Sequence, residues 1–317
     1  MPAPVYSFVI PIFNEADNIA ELYDRLCELL GGLDAPAQVV LVDDGSSDES
    51  LAMMRELARK DQRLKIVELS RNFGHQIAIT AGMDCAAGDA IIIMDADLQD
   101  PPEVVQEMIE KWKEGYEIVY GIREEREGET WFKRVTAAGF YRLLRKLTDL
   151  NLPVDVGDFR LVDRKALDAF KSLRERSRYV RGLFCWVGFK HTGVPYKRAA
   201  RFAGETKYPL RKMLKLATDG VVSFSTLPLR LALNAGFWIA GLSFVAGIWA
   251  IVDKLTGRYV VSGWVSTIVA VAFLGGIQLV ILGIMGEYIG RIYEEVKGRP
   301  LYIVRSVIEG DDGQEEH

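Results

Sequence analysis

Carboxylate side chains recur in three short segments of the chain, residues 11–15, 43–48 and 95–100. A single segment of this kind has an ordinary explanation, because Asp caps helices and forms turns. Three such segments brought together repel one another unless a cation or several hydrogen-bond donors compensate. In the third segment, Asp97 and Gln99 offer oxygen ligands without a neighbouring His or Cys, which suits Mg²⁺ or Mn²⁺. These ions often share their coordination with substrate phosphates, so the pattern predicts a metal-assisted phosphate site.

Familiar calcium and phosphate motifs are missing from the sequence. An EF-hand loop needs a Gly after its third ligand position, whereas residues 100–102 read Asp-Pro-Pro. Neither a Gly-Lys-Ser/Thr phosphate loop nor a Gly-x-Gly-x-x-Gly turn occurs. Any bound nucleotide would therefore be held by carboxylates and metal rather than by a glycine cradle.

The acidic segments follow predicted strands. Residues 1–125 alternate short β-rich runs with helical patterns, which predicts an α/β fold whose mostly parallel sheet is covered on both faces. The predicted strands are residues 6–12, 38–42, 66–69, 91–94 and 118–120. Because such sheets bind ligands at the carboxyl ends of their strands, we expect the acidic segments to meet at one edge.

Two charge-free apolar segments, residues 231–252 and 263–286, raise the mean hydropathy to +0.07. The shorter one extends roughly 33 Å as a helix, enough to cross a hydrocarbon core of roughly 30 Å, although a pair of buried core helices is the alternative. Basic residues flank the pair more densely than they occupy the loop 253–262. The sequence therefore predicts a multi-pass protein of the cell (inner) membrane, with both termini and the sheet domain in the cytoplasm.

The composition limits the partners. In 317 residues, 39 Lys and Arg face 44 Asp and Glu, and the net charge of −5 predicts no nucleic-acid-binding surface. A hydrophobic content of 49% excludes a disordered chain.

As a set, the acidic segments and several other blocks resemble the signatures of a known enzyme family. The blocks are residues 9–15, 42–48, 70–74, 95–103, 156–161 and 201–208. They resemble glycosyltransferase family 2, and within it the polyprenyl-phosphate glycosyltransferases, which include dolichyl-phosphate mannose synthases and bactoprenol glucosyltransferases. The resemblance spans essentially the whole chain and implies a GT-A (Rossmann-like) domain followed by two C-terminal membrane spans.

The resemblance implies a donor site for a nucleotide sugar, with UDP-glucose as the expected donor. The residues matching the family's donor-binding loops and its mobile lid are Pro11, Phe13, Glu15, Asp44, Asp95, Ala96, Arg201 and Lys207. Metal ligation is implied for Asp97 and Gln99, so that Mg²⁺ or Mn²⁺ neutralises charge on the departing nucleoside diphosphate.

The resemblance also implies that one sugar passes to polyprenyl (undecaprenyl) phosphate by single displacement with inversion. Asp158 matches the family's active-site carboxylate and, with Asp97, is a predicted catalytic residue. Since a lipid phosphate is already anionic, we expect Asp158 to orient groups or act as a weak base. Arg123 and Arg134 match positions that contact the acceptor phosphate, although each could be a solvated surface charge, Arg134 above all.

The predicted organisation has four parts: a catalytic domain (1–207), a juxtamembrane amphipathic segment (208–229), a transmembrane hairpin (230–290) and a cytoplasmic tail (291–317). Residues 131–152 and 208–229 mix apolar and basic side chains, which is typical of interfacial helices, with packing on the sheet as the alternative for part of each. A homo-oligomer is expected, and a flippase and a downstream glycosyltransferase are candidate partners.

Two other functions remain open on the sequence. A processive polysaccharide synthase has similar acidic loops, but it normally carries a Gln-x-x-Arg-Trp block that this chain lacks. A non-catalytic nucleotide-sugar-binding membrane scaffold is the other alternative, and the complete acidic set argues against it. His75 and His191 have no partner at metal-ligand spacing and are predicted to be structural or surface residues.

Overall fold

The computed structural model describes residues 3–123, 156–176, 178–197, 227–256 and 264–309. Three residues predicted to bind substrate, Arg134, Arg201 and Lys207, lie outside this part of the chain. The predicted interfacial stretch 131–152 and residues 208–226 of the second one lie outside it as well.

Eight strands within the described residues form one sheet in the order β7-β5-β6-β4-β1-β2-β3-β8. In chain order they are β1 (Tyr6–Ile12), β2 (Ala37–Asp43), β3 (Leu64–Leu69), β4 (Ala90–Ile93), β5 (Ile118–Arg123), β6 (Val156–Asp163), β7 (His191–Tyr196) and β8 (Val304–Glu309). β1 runs parallel to both β2 and β4, β2 runs parallel to β3, and β5 runs parallel to β7. The antiparallel pairs are β4 with β6, β5 with β6, and β3 with β8. The predicted α/β fold with a mostly parallel sheet is thus confirmed.

Helices connect the strands and cover the sheet. In chain order they are α1 (Ala16–Gly31), α2 (Ser50–Ala58), α3 (His75–Cys85), α4 (Val104–Lys113), α5 (Arg164–Ser172) and α6 (Val180–Trp186). Every residue of β1 is buried, as expected for a central strand covered on both faces.

The two faces of β1 pack against different helices. Phe8 and Ile10 belong to a core that includes Leu22 of α1. On α3, a Cβ atom at Gly82 would lie only 2.4 Å from Cγ1 of Val9, so glycine allows this helix to approach the sheet closely. The alternation of side chains along β1 therefore places α1 and α3 on opposite faces.

The sheet ends in a strand from the far end of the sequence. β8 pairs antiparallel with β3, and the buried Glu68 of β3 accepts hydrogen bonds from Arg305 at 3.0 Å and Ser306 at 2.8 Å. Arg55 of α2 adds an ion pair to the same carboxylate at 2.8 Å. Part of the segment that the sequence suggested as a tail therefore belongs to the sheet domain, which was not anticipated.

The second unit of the chain contains two long helices, α7 (Leu227–Leu255) and α8 (Trp264–Val296). Both are long and apolar enough to cross a membrane, over Leu229–Trp249 and Val269–Val296. Large apolar side chains cover them on the outside, including Trp238 at 75% exposure. These helices coincide with the two apolar segments predicted from the sequence.

Candidate active site

Hydrogen bonds join the loops that follow β1 and β2. The backbone N–H of Asn14 donates to Oγ of Ser46 at 3.1 Å, and Oδ1 of Asn14 accepts from the backbone N–H of Ser47 at 2.8 Å. Asn14 has a positive φ of 54°, a conformation that Asn tolerates better than most residues. Because β1 and β2 are parallel neighbours, both loops lie at the carboxyl edge of the sheet.

The loop after β3 is attached to the same edge through Asp44. The Asp44 carboxylate accepts hydrogen bonds from the backbone N–H groups of Phe73, at 2.7 Å, and Gly74, at 2.9 Å. Burial raises the pKa of Asp44 despite these two donors. Asp44, predicted to bind the nucleotide, thus also fixes the loop that leads into α3.

His75, the first residue of α3, lies between two acidic residues of the predicted site. Its Nε2 atom is 3.4 Å from Oδ1 of Asp95 and 3.6 Å from Oδ2 of Asp158. Burial alone would lower the pKa of His75, but the Asp158 and Asp95 carboxylates outweigh it and raise the pKa to about 9. The sequence interpretation of His75 as a structural or surface residue missed these contacts, which place the imidazole between Asp95 and Asp158.

Asp158 is buried and surrounded by donors. Arg181 of α6 binds both of its oxygens, with Nε 2.9 Å from Oδ1 and Nη2 3.0 Å from Oδ2. Gln76 donates to Oδ2 at 3.2 Å, and the fully buried Arg160 lies 3.6 Å from Oδ1. Burial would raise the pKa of Asp158, but the charges and hydrogen bonds of Arg181 and His75 hold it well below the usual range. The carboxylate is therefore ionised and tightly held at neutral pH.

The loop after β4 brings Asp95, Asp97 and Gln99 into one turn. Oδ1 of Asp97 accepts a hydrogen bond from the backbone N–H of Gln99 at 3.2 Å, and Leu98 between them has a positive φ of 56°. Such a backbone conformation costs energy in a non-glycine residue and is common at ligand sites. Burial raises the pKa of Asp95, and the nearby Asp97 and Asp158 charges act in the same direction.

This turn fits a divalent cation that takes further oxygen ligands from a substrate. Asp97 and Gln99 present carboxylate and amide oxygens, the donor types that Mg²⁺ and Mn²⁺ prefer. Within the described residues, no group of three or more His, Cys, Asp or Glu side chains is placed to hold a metal ion. A cation held there by Asp97 and Gln99 would take most of its coordination shell from substrate and water, as Mg²⁺ usually does in phosphate-handling sites.

Arg123, predicted to contact the acceptor phosphate, ends β5 at the same edge of the sheet. Its Nε donates to the hydroxyl of Tyr196 at 3.2 Å, and that hydroxyl donates to the fully buried Asp100. Burial would lower the pKa of Arg123, but Tyr196 and Asp100 outweigh it and raise the pKa. A buried acid therefore fixes a charged guanidinium group whose side chain is 28% exposed.

The remaining predicted donor residues lie in the loops of this edge. Phe13 is 43% exposed after β1, whereas Pro11 is buried within that strand. Glu15 accepts a hydrogen bond from Asn18 at 2.5 Å, and Ala96 is buried in the β4 loop. The roles of these residues toward a nucleotide sugar stay predictions.

The sequence assigned no role in the site to His75, Gln76, Arg181 or Tyr196, nor to Asp100 or Arg160. One usable signal existed for the first two, because they follow β3 just as the acidic segments follow their own strands. Arg181 and Tyr196 reach the site through tertiary contacts that no local spacing indicates.

A mostly parallel sheet with acidic loops at its carboxyl edge is the arrangement of a GT-A glycosyltransferase. The model of "Glycosyl transferase family 2" matches residues 7–170, and that of the "GtrB C-terminal hairpin" matches residues 227–292. The chain therefore belongs to glycosyltransferase family 2, as the sequence blocks indicated.

Several relatives match along nearly the whole chain. The "Uncharacterized glycosyltransferase YkcC" of Bacillus subtilis is 55% identical over 95% of this chain and 93% of its own length. The "SfII prophage-derived bactoprenol glucosyl transferase" of Shigella flexneri is 41% identical over 96% of this chain and 99% of its own. A crystal structure of glucosyl-3-phosphoglycerate synthase from Mycobacterium tuberculosis, in complex with Mn²⁺, UDP-glucose and phosphoglyceric acid, aligns with a TM-score of 0.49 and 18% identity over 69% of this chain and 78% of that one.

Proposed function

We propose that this glycosyltransferase moves one sugar from a nucleotide sugar, with UDP-glucose as the leading candidate, to polyprenyl phosphate at the membrane surface. One observation carries the proposal: relatives named bactoprenol glucosyl transferases match the sheet domain and the hairpin together, at 41% identity over 96% of this chain. A processive synthase or a non-catalytic scaffold has no comparable support.

The acidic edge supports a donor site for the nucleotide diphosphate. Asp97 and Gln99 would hold a divalent cation, which when bound neutralises negative charge on the leaving diphosphate. Pro11, Phe13 and Glu15 would contact the nucleotide from the β1 loop. Asp44 would do so while it holds the loop that leads to His75.

The acceptor needs positive charge more than it needs a base. In an inverting displacement, a phosphate oxygen of the lipid forms a bond to the anomeric carbon while the bond from that carbon to the diphosphate oxygen breaks. The attacking oxygen is already anionic at neutral pH, so the step requires no strong proton acceptor. Arg123 would bind the acceptor phosphate, and its attachment to Tyr196 and Asp100 orients the guanidinium group before the lipid arrives.

The hairpin and β8 support a membrane location with the catalytic domain on one side. β8 follows α8 in the chain and pairs with β3, so the sequence on either side of the hairpin belongs to one sheet. Two crossings of the membrane would return the chain to the side from which it left, in agreement with this pairing. The basic flanks of the hairpin favour the cytoplasm as that side.

The test uses the full-length protein reconstituted in lipid nanodiscs with undecaprenyl phosphate and a panel of nucleotide sugars. Mass spectrometry should detect a glycolipid carrying a single sugar from one donor, and no product with unphosphorylated undecaprenol. A product with several sugars would favour the synthase alternative, and no product from any donor would refute the proposal. NMR of the released sugar phosphate would reveal inversion or retention at the anomeric carbon.

Arg134, Arg201 and Lys207 would complete the acceptor site and the lid over the donor. A homo-oligomer, a flippase and a downstream glycosyltransferase remain the proposed partners. Native mass spectrometry of the nanodisc-embedded protein would report the subunit number directly.

A further inference from the structure

The geometry around Asp158 points to a second phosphate-binding arginine in the active site. We propose that Arg181 binds a phosphate group of the substrates and that Asp158 is a positioning residue that holds Arg181, rather than the acceptor of a proton. The inference rests on the proposed function, because it assumes phosphate-bearing substrates at this edge of the sheet.

The first argument is that both oxygens of Asp158 are already engaged. Arg181 donates one hydrogen bond to each oxygen, at 2.9 and 3.0 Å, and Gln76 donates a third at 3.2 Å. The Asp158 side chain is only 6% exposed. A general base must reach the proton that it removes and should have a pKa near the working pH. Asp158 meets neither condition, since its pKa lies well below the usual range.

The second argument is that the Arg181 side chain is partly exposed although its carboxylate partner is buried. Its side chain is 28% exposed, against 6% for its partner. Gln76 strengthens the arrangement, because its Oε1 accepts the backbone N–H of Val180 at 3.1 Å while its Nε2 binds Asp158. Both the backbone next to Arg181 and its guanidinium group are therefore fixed in advance, which reduces the entropy lost when an anion binds.

The third argument is that Arg181 repeats the construction of Arg123. Each side chain is 28% exposed, and each is held by a buried acid: Asp158 directly for Arg181, and Asp100 partly through Tyr196 for Arg123. The two guanidinium groups are close enough that the charge of Arg181 acts to lower the pKa of Arg123. Two like charges held near each other gain from an anion placed between them. The proposed reaction supplies such anions in the donor diphosphate and the acceptor phosphate.

The experiment compares full-length Arg181→Gln, Arg181→Lys, Asp158→Asn and the Arg181→Gln/Asp158→Asn double variant in nanodiscs. Steady-state kinetics give kcat and the KM for each substrate, and calorimetry with UDP alone gives nucleotide affinity without turnover. Arg174→Gln is the matched control, because Arg174 forms a similar pair with Asp84 at 2.9 Å, at the end of α3 remote from His75. Thermal unfolding of every variant reports on folding.

We expect Arg181→Gln to weaken the binding of one phosphate-bearing substrate by on the order of 10- to 100-fold. Arg181→Lys should have an intermediate effect, and Arg174→Gln should bind both substrates as the wild type does. A raised KM for undecaprenyl phosphate would assign Arg181 to the acceptor, and a lower UDP affinity would assign it to the donor. Asp158→Asn should reproduce the Arg181→Gln effect, and the double variant should be no worse than either single one.

Other results would overturn the inference. If the Arg181→Gln variant is folded and keeps the wild-type KM for both substrates and the wild-type affinity for UDP, Arg181 binds no phosphate. If Asp158→Asn lowers kcat far more than Arg181→Gln does, and the double variant shows the product of the two losses, Asp158 acts independently of Arg181. If Asp158→Asn does not fold, the Gln and Lys variants of Arg181 decide. A wild-type protein that transfers no sugar would instead refute the proposed function, so the two failures are distinguishable.

Discussion

The hydroxyl group of Tyr302 donates a hydrogen bond of 2.7 Å to Oδ2 of Asp84. Asp84 lies near the end of α3, the helix whose first residue, His75, contacts Asp95 and Asp158. The segment that follows the hairpin is therefore attached to the helix that begins in the active site. This contact and the pairing of β8 with β3 make the C-terminal segment part of the catalytic domain.

Tyr302→Phe tests how much this attachment contributes. Loss of one hydrogen bond should lower the free energy of unfolding by about 1 kcal/mol, since Asp84 keeps its bond from Arg174. Urea unfolding of the detergent-solubilised protein measures the change. Tyr293→Phe is the control, because that ring is 61% exposed and its replacement should alter stability by less than about 0.5 kcal/mol. Equal stability of the Tyr302→Phe variant and the wild type would contradict the prediction.

Gly45, in the loop after β2, is a position where a side chain should be poorly tolerated. Its φ is +70°, and an added Cβ would lie 2.6 Å from backbone atoms of both Arg71 and Asn72. Gly45→Ala should therefore combine backbone strain with a clash and cost about 2 kcal/mol or more. UDP affinity should fall with it, because the loop held by Asp44 would shift.

Gly74, in the neighbouring loop after β3, separates these two effects. Its φ is +101°, but a Cβ there meets nothing within 4 Å. With ψ at 151°, this conformation is one that essentially only Gly adopts, so Gly74→Ala should cost the strain alone, about 1 to 3 kcal/mol. Differential scanning fluorimetry of both variants measures the two losses, and wild-type stability of the Gly74→Ala variant would contradict the predicted strain.

The sheet and its acidic edge could be predicted because their causes are local. Continuous apolar runs separated by helical patterns specify buried parallel strands, and the polar residues that end each run necessarily lie at one edge. The apolar helices follow from length and composition in the same way. Asp95 and Asp158 could be chosen through family resemblance without knowledge of their distance from each other.

The contacts that complete the site depend on residues far apart in sequence. Gln76 meets Asp158 across 82 positions, and Arg305 meets Glu68 across 237. A lone histidine after a glycine carries no pattern that reveals two carboxylates beside it. β8 is short and contains polar residues, so its sequence alone suggests a tail. Only the fold shows that it pairs with β3. Tertiary packing decides these roles, so the sequence alone could not assign them.

Asp97→Asn tests the proposed cation site. The amide keeps the shape of the side chain but removes the negative charge that binds a divalent ion, so transfer should fall by at least about 100-fold. Calorimetric titration with Mn²⁺ and UDP should lose the metal-dependent increase in nucleotide affinity. Asp24→Asn, on the exposed face of α1, is the control and should behave as wild type. Normal metal-dependent binding by the Asp97→Asn variant would refute the assignment.

The charge of His75 should make stability depend on pH in the alkaline range. Its pKa rises from 6.5 to about 9 because Asp158 and Asp95 face it, against the effects of burial and of the neighbouring Arg181 charge. The pKa is higher in the folded state, so its contribution is complete below about pH 6.5 and is lost as the pH rises through about 9. The stability difference between wild type and His75→Asn, measured by urea unfolding with a chelator, should therefore shrink across that interval. A difference that stays constant to about pH 10 would contradict the assignment.

The pairing of β8 with β3 makes a prediction about the hairpin loop that cysteine labelling can test, with the wild-type protein reporting on its three native cysteines. If the hairpin crosses the membrane twice, as proposed, residues 257–263 should be accessible from the opposite side to Cys27, Cys85 and Cys185, which belong to the sheet domain. In intact spheroplasts, a membrane-impermeant maleimide should label Val260→Cys but not the wild-type protein. Asp24→Cys, on the exposed face of α1, should react only after the membrane is permeabilised. Labelling of Asp24→Cys in intact spheroplasts would place the sheet domain outside the cell and contradict the proposed orientation.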